Sequence, residues 1–168
     1  MSARLAVALL AVLLASDAIA CSCGRTTPGQ VFDEATQVLL VRILATENVR
    51  AREPLAKGVH FVVGVNYGVR ARFELLESFK GDASAVAALA TGHGGGDCGV
   101  DLAPGTTWLV SVRENRVVAA CGIARQVDPT SCAWPALRNA LRARAEDGTT
   151  AIAMLDHDAL REGSVACD

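Results

Sequence analysis

Tyr67-Gly68-Val69-Arg70-Ala71-Arg72-Phe73-Glu74-Leu75 is the stretch that decides the fold. Tyr67, Val69, Ala71, Phe73 and Leu75 alternate with Gly68, Arg70, Arg72 and Glu74. Successive side chains on a strand point to opposite faces, so this period of two predicts a half-buried strand with one solvated face. Upstream, residues 38–45 are rich in Val, Leu and Ile and predict another strand. Residues 46–57, polar and charged, with Pro54 and then Gly58, predict a surface loop, and residues 59–65 a further strand in which His60 is structural. Downstream, residues 84–91 predict a strand, and residues 107–112 and 116–120 a hairpin about Arg113-Glu114-Asn115. Short strands separated by turn signals, with no βαβ rhythm, predict a small closed or partly closed β-barrel.

Helices flank this β region. Pro28 to Glu34 predicts a turn leading into a short helical or irregular stretch. Trp134, Leu137, Leu141 and Ala145 recur at helical spacing, Pro135 suits a first turn, and Gly148 is a stop. Arg138 and Arg142 fall to one side of that stripe, where water can solvate them; Arg144 lies closer and must reach outward along its stem. Residues 150–162 predict a second helix ending at Gly163, which returns Cys167 to the body. The class is mainly β with flanking helices.

The N-terminus carries Arg4, an apolar run from Leu5 to Ala15, and Ala18-Ile19-Ala20. A basic start, an apolar stretch of this length and an A-x-A site describe a secretory signal over residues 1–20. The mature chain, 21–168, is then 168 − 20 = 148 residues, one domain with its own core. Removing Arg4 and Asp17 leaves the net charge at −2, so neither nucleic acid nor an anionic membrane is suggested as a partner. The apolar run is short for a transmembrane helix of roughly 20 residues, and no later segment is long and apolar enough. The expected location is secreted or periplasmic, as a monomer. The alternative is a lipoprotein anchored at Cys21, although Ala18 stands where such signals usually have Leu and the thiol count would become odd.

Six cysteines, Cys21, Cys23, Cys98, Cys121, Cys132 and Cys167, read as three disulfides in an oxidising compartment. Fifteen pairings are possible for about this many cysteines, and sequence does not choose among them. Cys21 and Cys23, separated only by Ser22, cannot readily bridge each other, since disulfide geometry needs Cα atoms about 4.4–6.8 Å apart with suitably directed Cβ vectors. Each needs a distant partner. A metal site is disfavoured, because there is no C-x-x-C and no nearby histidine pair. His93-Gly94-Gly95-Gly96 has the look of an esterase oxyanion loop, but no G-x-S-x-G elbow accompanies it, and a loop before Cys98 is the plainer reading. Asp156-His157-Asp158 reads as a charged helix face rather than a metal site. With no catalytic constellation, the chain is expected to be neither an enzyme nor a holder of a cofactor.

Cys21-Ser22-Cys23 at the mature N-terminus, Phe79-Lys80-Gly81 closing a strand, Asp97-Cys98-Gly99 after a loop, Trp108-Leu109-Val110 and then Cys121 resemble the tissue inhibitors of metalloproteinases, and more broadly the netrin-like domain. The resemblance runs from residue 21 to about residue 147, and departs in having no cysteine between Cys23 and Cys98 and Gly24-Arg25 after the C-x-C. It implies a disulfide-stapled, five-stranded OB-fold barrel with helices beside it. It implies the pairs Cys21–Cys98 and Cys23–Cys121, which leave Cys132 with Cys167. It implies that Cys21, Ser22, Cys23 and Gly24 form one contact strip against a zinc metalloproteinase, with Ser22 pointing into the pocket beside the metal. Asp97, Cys98 and Gly99 would form a second edge.

The chemistry of such a tip follows from coordination. A catalytic zinc keeps one position open for water or substrate. The free amine and carbonyl oxygen of Cys21 can together close a five-membered chelate on the target's zinc and displace that water. The amine must be unprotonated; an ordinary α-amino group titrates at about 7.7–8.0, and the metal lowers it. Two neighbouring disulfides leave little entropy to lose on docking. The alternative function is a netrin-like binding module with no protease target.

Overall fold

The computed structural model describes residues 23, 26–50, 67–94, 98–113, 118–152 and 155. The expected signal segment 1–20, the strand at 59–65 with His60, Asp156-His157-Asp158 and most of the expected helix over 150–162 lie outside them. In chain order the elements are α1 (Pro28–Glu34), β1 (Gln37–Arg50), β2 (Tyr67–Lys80), a 3₁₀ turn (Ala83–Ala85), β3 (Leu89–Thr91), β4 (Thr107–Val112), β5 (Ala124–Gln126) and α2 (Trp134–Asp147).

The strands form one five-stranded antiparallel sheet in the order β3-β2-β1-β4-β5. Its pairing does not close into the expected barrel. β3 and β5, three residues each, stand at opposite edges and do not pair with each other. One backbone bond crosses toward closure: Val118 N–H donates to the Ala90 carbonyl of β3 at 2.7 Å.

β1 is central because it is apolar on both faces. Val38 and Leu40 join Leu109 on one face, under Val31 and Phe32 of α1 and Trp134, Leu137 and Leu141 of α2. Leu39, Val41 and Ile43 point the other way, with Trp108, Val110, Val112, Leu89 and Leu102. Full burial of such side chains contributes about 1.5–3 kcal/mol each, so these two layers dominate the stability.

Four expectations about elements need correcting. β1 runs on through residues 46–50 instead of yielding to a loop, since Thr46, Glu47 and Asn48 stay in register with Ala71, Arg70 and Val69. The polar side chains there hide a backbone that the β2 ladder holds extended. Of the expected hairpin strand 116–120, the described residues 118–120 are not a strand, and Ala124–Gln126 pairs with Trp108, Leu109 and Val110. Of residues 84–91 only Leu89–Thr91 is strand, because the Asp82 carboxylate accepts from Ser84 N–H at 2.9 Å and caps a 3₁₀ turn. Finally, residues 149–152 are not helical. There the Asp147 carboxylate accepts the amides of Thr149 and Thr150, at 2.7 and 2.9 Å, and ends α2 in a turn.

The alternation in β2 holds at Ala71 and Phe73 but fails at Leu75, which is 44% exposed. The register explains it. Leu75 opposes Val41 and Glu77 opposes Leu40, which leaves Leu76 bulged, while Ser78 and Lys80 oppose Leu39 and Val38, which leaves Phe79 bulged. The second bulge turns Phe79 into the helix-covered core, edge-on to Trp134 at 6.3 Å. β2 ends at Gly81 (φ 75°), where an added Cβ would meet the Thr36 carbonyl oxygen at 2.2 Å.

Both helices are closed by local chemistry. Thr27 and Gln30 form a capping box at the start of α1, and Lys80 Nζ donates to the Phe32 and Asp33 carbonyls at its end, 2.9 and 2.7 Å away. α2 stops at Gly148 (φ 66°), as expected. Its arginines, though, are not simply solvated. Arg138 and Arg142 donate to opposite oxygens of Glu77, at 2.7 and 2.6 Å, and Arg144 pairs with Asp33 of α1. That last pair takes the place of apolar contact in the final turn, so the buried stripe ends at Leu141 and Ala145 is exposed.

Candidate functional site

Three chain segments meet at the end of the sheet bearing the cysteines. The first is the N-terminal approach. Cys23, exposed, is disulfide-bonded to Cys121 across 98 positions of sequence, with Cα atoms 5.2 Å apart. The chain then enters α1 at the Thr27 cap, so this bond fixes the approach from one side and the helix cap from the other.

The second is the turn that carries Cys121. Gly122 N–H donates to the Ala119 carbonyl at 2.9 Å. Ser111, 6% exposed on β4, holds the turn down: its hydroxyl accepts from Ile123 N–H at 2.8 Å, and its own amide donates to the Ile123 carbonyl. Buried hydroxyls need such partners, and here that need anchors Cys121 to the sheet.

The third is the loop after β3. The buried Thr91 hydroxyl accepts from Val100 N–H at 2.9 Å, which pinches the loop shut at its base. Gly99 packs backbone to backbone on Gly92; an added Cβ would lie 2.2 Å from the Gly92 carbonyl carbon. Cys98 adopts a left-handed conformation (φ 57°), uncommon for a residue with a side chain, and is disulfide-bonded. Its carbonyl accepts from Ala120 N–H at 2.9 Å, and that bond joins the loop to the turn bearing Cys121.

Of the expected site residues, Cys23, Cys98 and Gly99 are thus brought to one place. Cys21, Ser22, Gly24 and Asp97 lie outside the described residues. The Cys23–Cys121 bond is present; the expected pairs Cys21–Cys98 and Cys132–Cys167 each include a residue outside the described set. Cys98 and Cys132 are both disulfide-bonded. Three positioning groups escaped the sequence: Thr91, Ser111 and Ala120. A hydroxyl inside an apolar strand is a faint signal, and a backbone amide is none.

Against the loop base lies an open cleft of about 280 Å³. Its walls include Thr46, Asn48, Val69, His93 and Val100, with Glu47 and Asp101 among the lining groups. Glu47 is taken up by Arg70 at 3.1 Å. Among the described residues no cluster of three His, Cys, Asp or Glu side chains is set to hold a metal, and no helix is long and apolar enough to cross a membrane. No protein-family model and no curated protein matches the chain.

Proposed function

We propose that the chain is an exported inhibitor-like protein of netrin type whose processed amino end ligates the catalytic zinc of a target metalloproteinase. One observation carries this reading. The Cys23–Cys121 disulfide and the Cys98 carbonyl–Ala120 amide bond hold the N-terminal approach beside the Cys98-Gly99 loop. An inhibitor that works through its first residue needs such a rigid mount, because any looseness at the tip is entropy lost on docking. In this reading Cys21 supplies the amine and carbonyl, Ser22 enters the pocket beside the zinc, and Asp97, Cys98 and Gly99 form the flanking edge. The finer fold belongs to the same proposal: an OB-type barrel left open at β3 and β5. The Val118–Ala90 bond and an inner layer of Leu39, Val41, Val86, Leu89 and Leu102 support it.

The test is inhibition of a panel of zinc endopeptidases by oxidised protein beginning at Cys21, beside a variant with one extra N-terminal alanine. Inhibition by the first and its loss in the second is the expected pair of results. Equal inhibition by both excludes chelation through the amine.

A further inference from the structure

Two backbone hydrogen bonds tie the approach to Cys121 back to β3 and the loop after it. Val118 N–H donates to the Ala90 carbonyl at 2.7 Å, and Ala120 N–H donates to the Cys98 carbonyl at 2.9 Å. The first bond ends on a strand; the second ends on a residue in the left-handed region, Cys98 at φ 57°. A residue with a side chain is held there only when its surroundings offset the cost. Ala120 is exposed, so its amide turns to water as soon as the Cys98 carbonyl points elsewhere.

The disulfide at Cys98 fixes its sulfur but leaves the backbone free to rotate, so it does not by itself aim the carbonyl. That carbonyl belongs to the peptide unit shared with Gly99. Gly99 lies so close to Gly92 that an added Cβ would meet the Gly92 carbonyl carbon at 2.2 Å. The next amide, Val100 N–H, donates to the Thr91 hydroxyl at 2.9 Å. Thr91 is 1% exposed and directly precedes Gly92, so Gly99 and Val100 are both pinned to the end of β3. Only the φ and ψ of Gly99 separate the amide that Thr91 holds from the carbonyl that Ala120 needs.

We propose that Thr91 is a positioning residue: its hydroxyl sets the direction of the Cys98 carbonyl, and so locks the Cys98-Gly99 edge to the turn that holds the amino end through Cys121. Being buried, Thr91 meets no target itself. Its consequence for inhibition rests on the zinc-ligation reading, in which both edges must meet the protease in a fixed relation and any play between them is entropy lost on docking. The lock itself does not depend on that reading.

The test is Thr91→Val, which keeps the branched shape and removes the acceptor, beside Thr91→Ser, which keeps the hydroxyl. The first readout is amide hydrogen exchange of the oxidised protein beginning at Cys21. In Thr91→Val, the Val100 and Ala120 amides should each exchange about tenfold faster, the scale of one lost hydrogen bond, while Val118, tied to Ala90 ahead of Thr91, keeps its protection. Thr91→Ser should restore slow exchange at both. Against a zinc endopeptidase that the unmodified protein inhibits, Thr91→Val should inhibit about tenfold more weakly and Thr91→Ser normally. Faster exchange at Val100 with Ala120 unchanged would mean a purely local clamp and overturns the proposal. So does an equal loss of protection at Val118, the mark of a generally loosened fold, and so does undiminished inhibition by the valine variant. If the unmodified protein inhibits nothing, the zinc-ligation reading fails and exchange at Ala120 alone decides the lock.

Discussion

The two halves of β2 live under different rules. At the Lys80 end the strand is gripped: Phe79 meets Trp134 edge-on, Lys80 caps α1, and Glu77 is held by Arg138 and Arg142. Toward Arg72 the same strand leaves Leu75 44% and Leu76 36% exposed. The residue types do not account for this by themselves, since each stretch has a Phe and a Glu. What differs is the neighbour. α1 and α2 cover one half, while β3 is too short to flank the other.

Breaking the gripped half should cost most. Trp134→Ala removes the ring that Phe79 packs on and should destabilise by about 3–5 kcal/mol in urea melts. A loss under 1 kcal/mol would show that the helices contribute little to that half. Next comes the crosslink. The double variant Cys23→Ser/Cys121→Ser should lose about 2–4 kcal/mol and, with it, any inhibition. If inhibition survives, the mount is not needed.

Glu77→Gln tests the charged part of the grip. It takes one carboxylate from two arginines, and a loss of about 1–2 kcal/mol is expected, since the carboxylate is 14% exposed while both guanidinium groups keep water. The matching change in the open half, Glu74→Gln, breaks a pair half-exposed on both sides and should cost no more than about 0.5 kcal/mol. Similar losses at the two positions would erase the contrast between the halves.

Acid gives a finer comparison. Hydrogen bonds from the Thr150 hydroxyl, and then from the Thr150 and Thr149 amides, hold Asp147 down at about 2. The Arg144 guanidinium lowers Asp33 as well. A depressed carboxylate stabilises the fold above its unfolded titration near pH 4, and that contribution disappears as pH falls through the folded value. Melting temperature should therefore drop between about pH 4 and pH 2, and Asp147→Asn should flatten part of that drop. An unchanged slope would mean that these bonds persist in the unfolded chain.

Much of the architecture was legible because it rests on local rules. The period of two in residues 67–75 and the apolar run at 38–45 are strands, since alternation and β-branched burial act within a few residues. Trp134, Leu137 and Leu141 are a helix face for the same reason, and Gly148 stops that helix where it needs a left-handed residue. The candidate site was legible only in its outline. The family resemblance, not the cysteine spacing by itself, implied Cys23 with Cys121, and the fold brings Cys98 and Gly99 beside that bond. The Ser111 and Thr91 anchors left only a faint signal, because each hydroxyl's partner, Ile123 and Val100, lies in a loop or turn that folds back onto its strand.

By itself the sequence determined the β-rich class, the flanking helices and the cysteines needing distant partners, all consequences of spacing along the chain. Only the tertiary structure decided where β2 bulges, that Ala124–Gln126 pairs along β4, that Arg138, Arg142 and Arg144 find carboxylate partners, and that β3 and β5 stay apart. Each of those outcomes depends on groups far apart in sequence meeting in space. A ladder, a bulge or an ion pair takes its energy from that meeting, which no local pattern encodes.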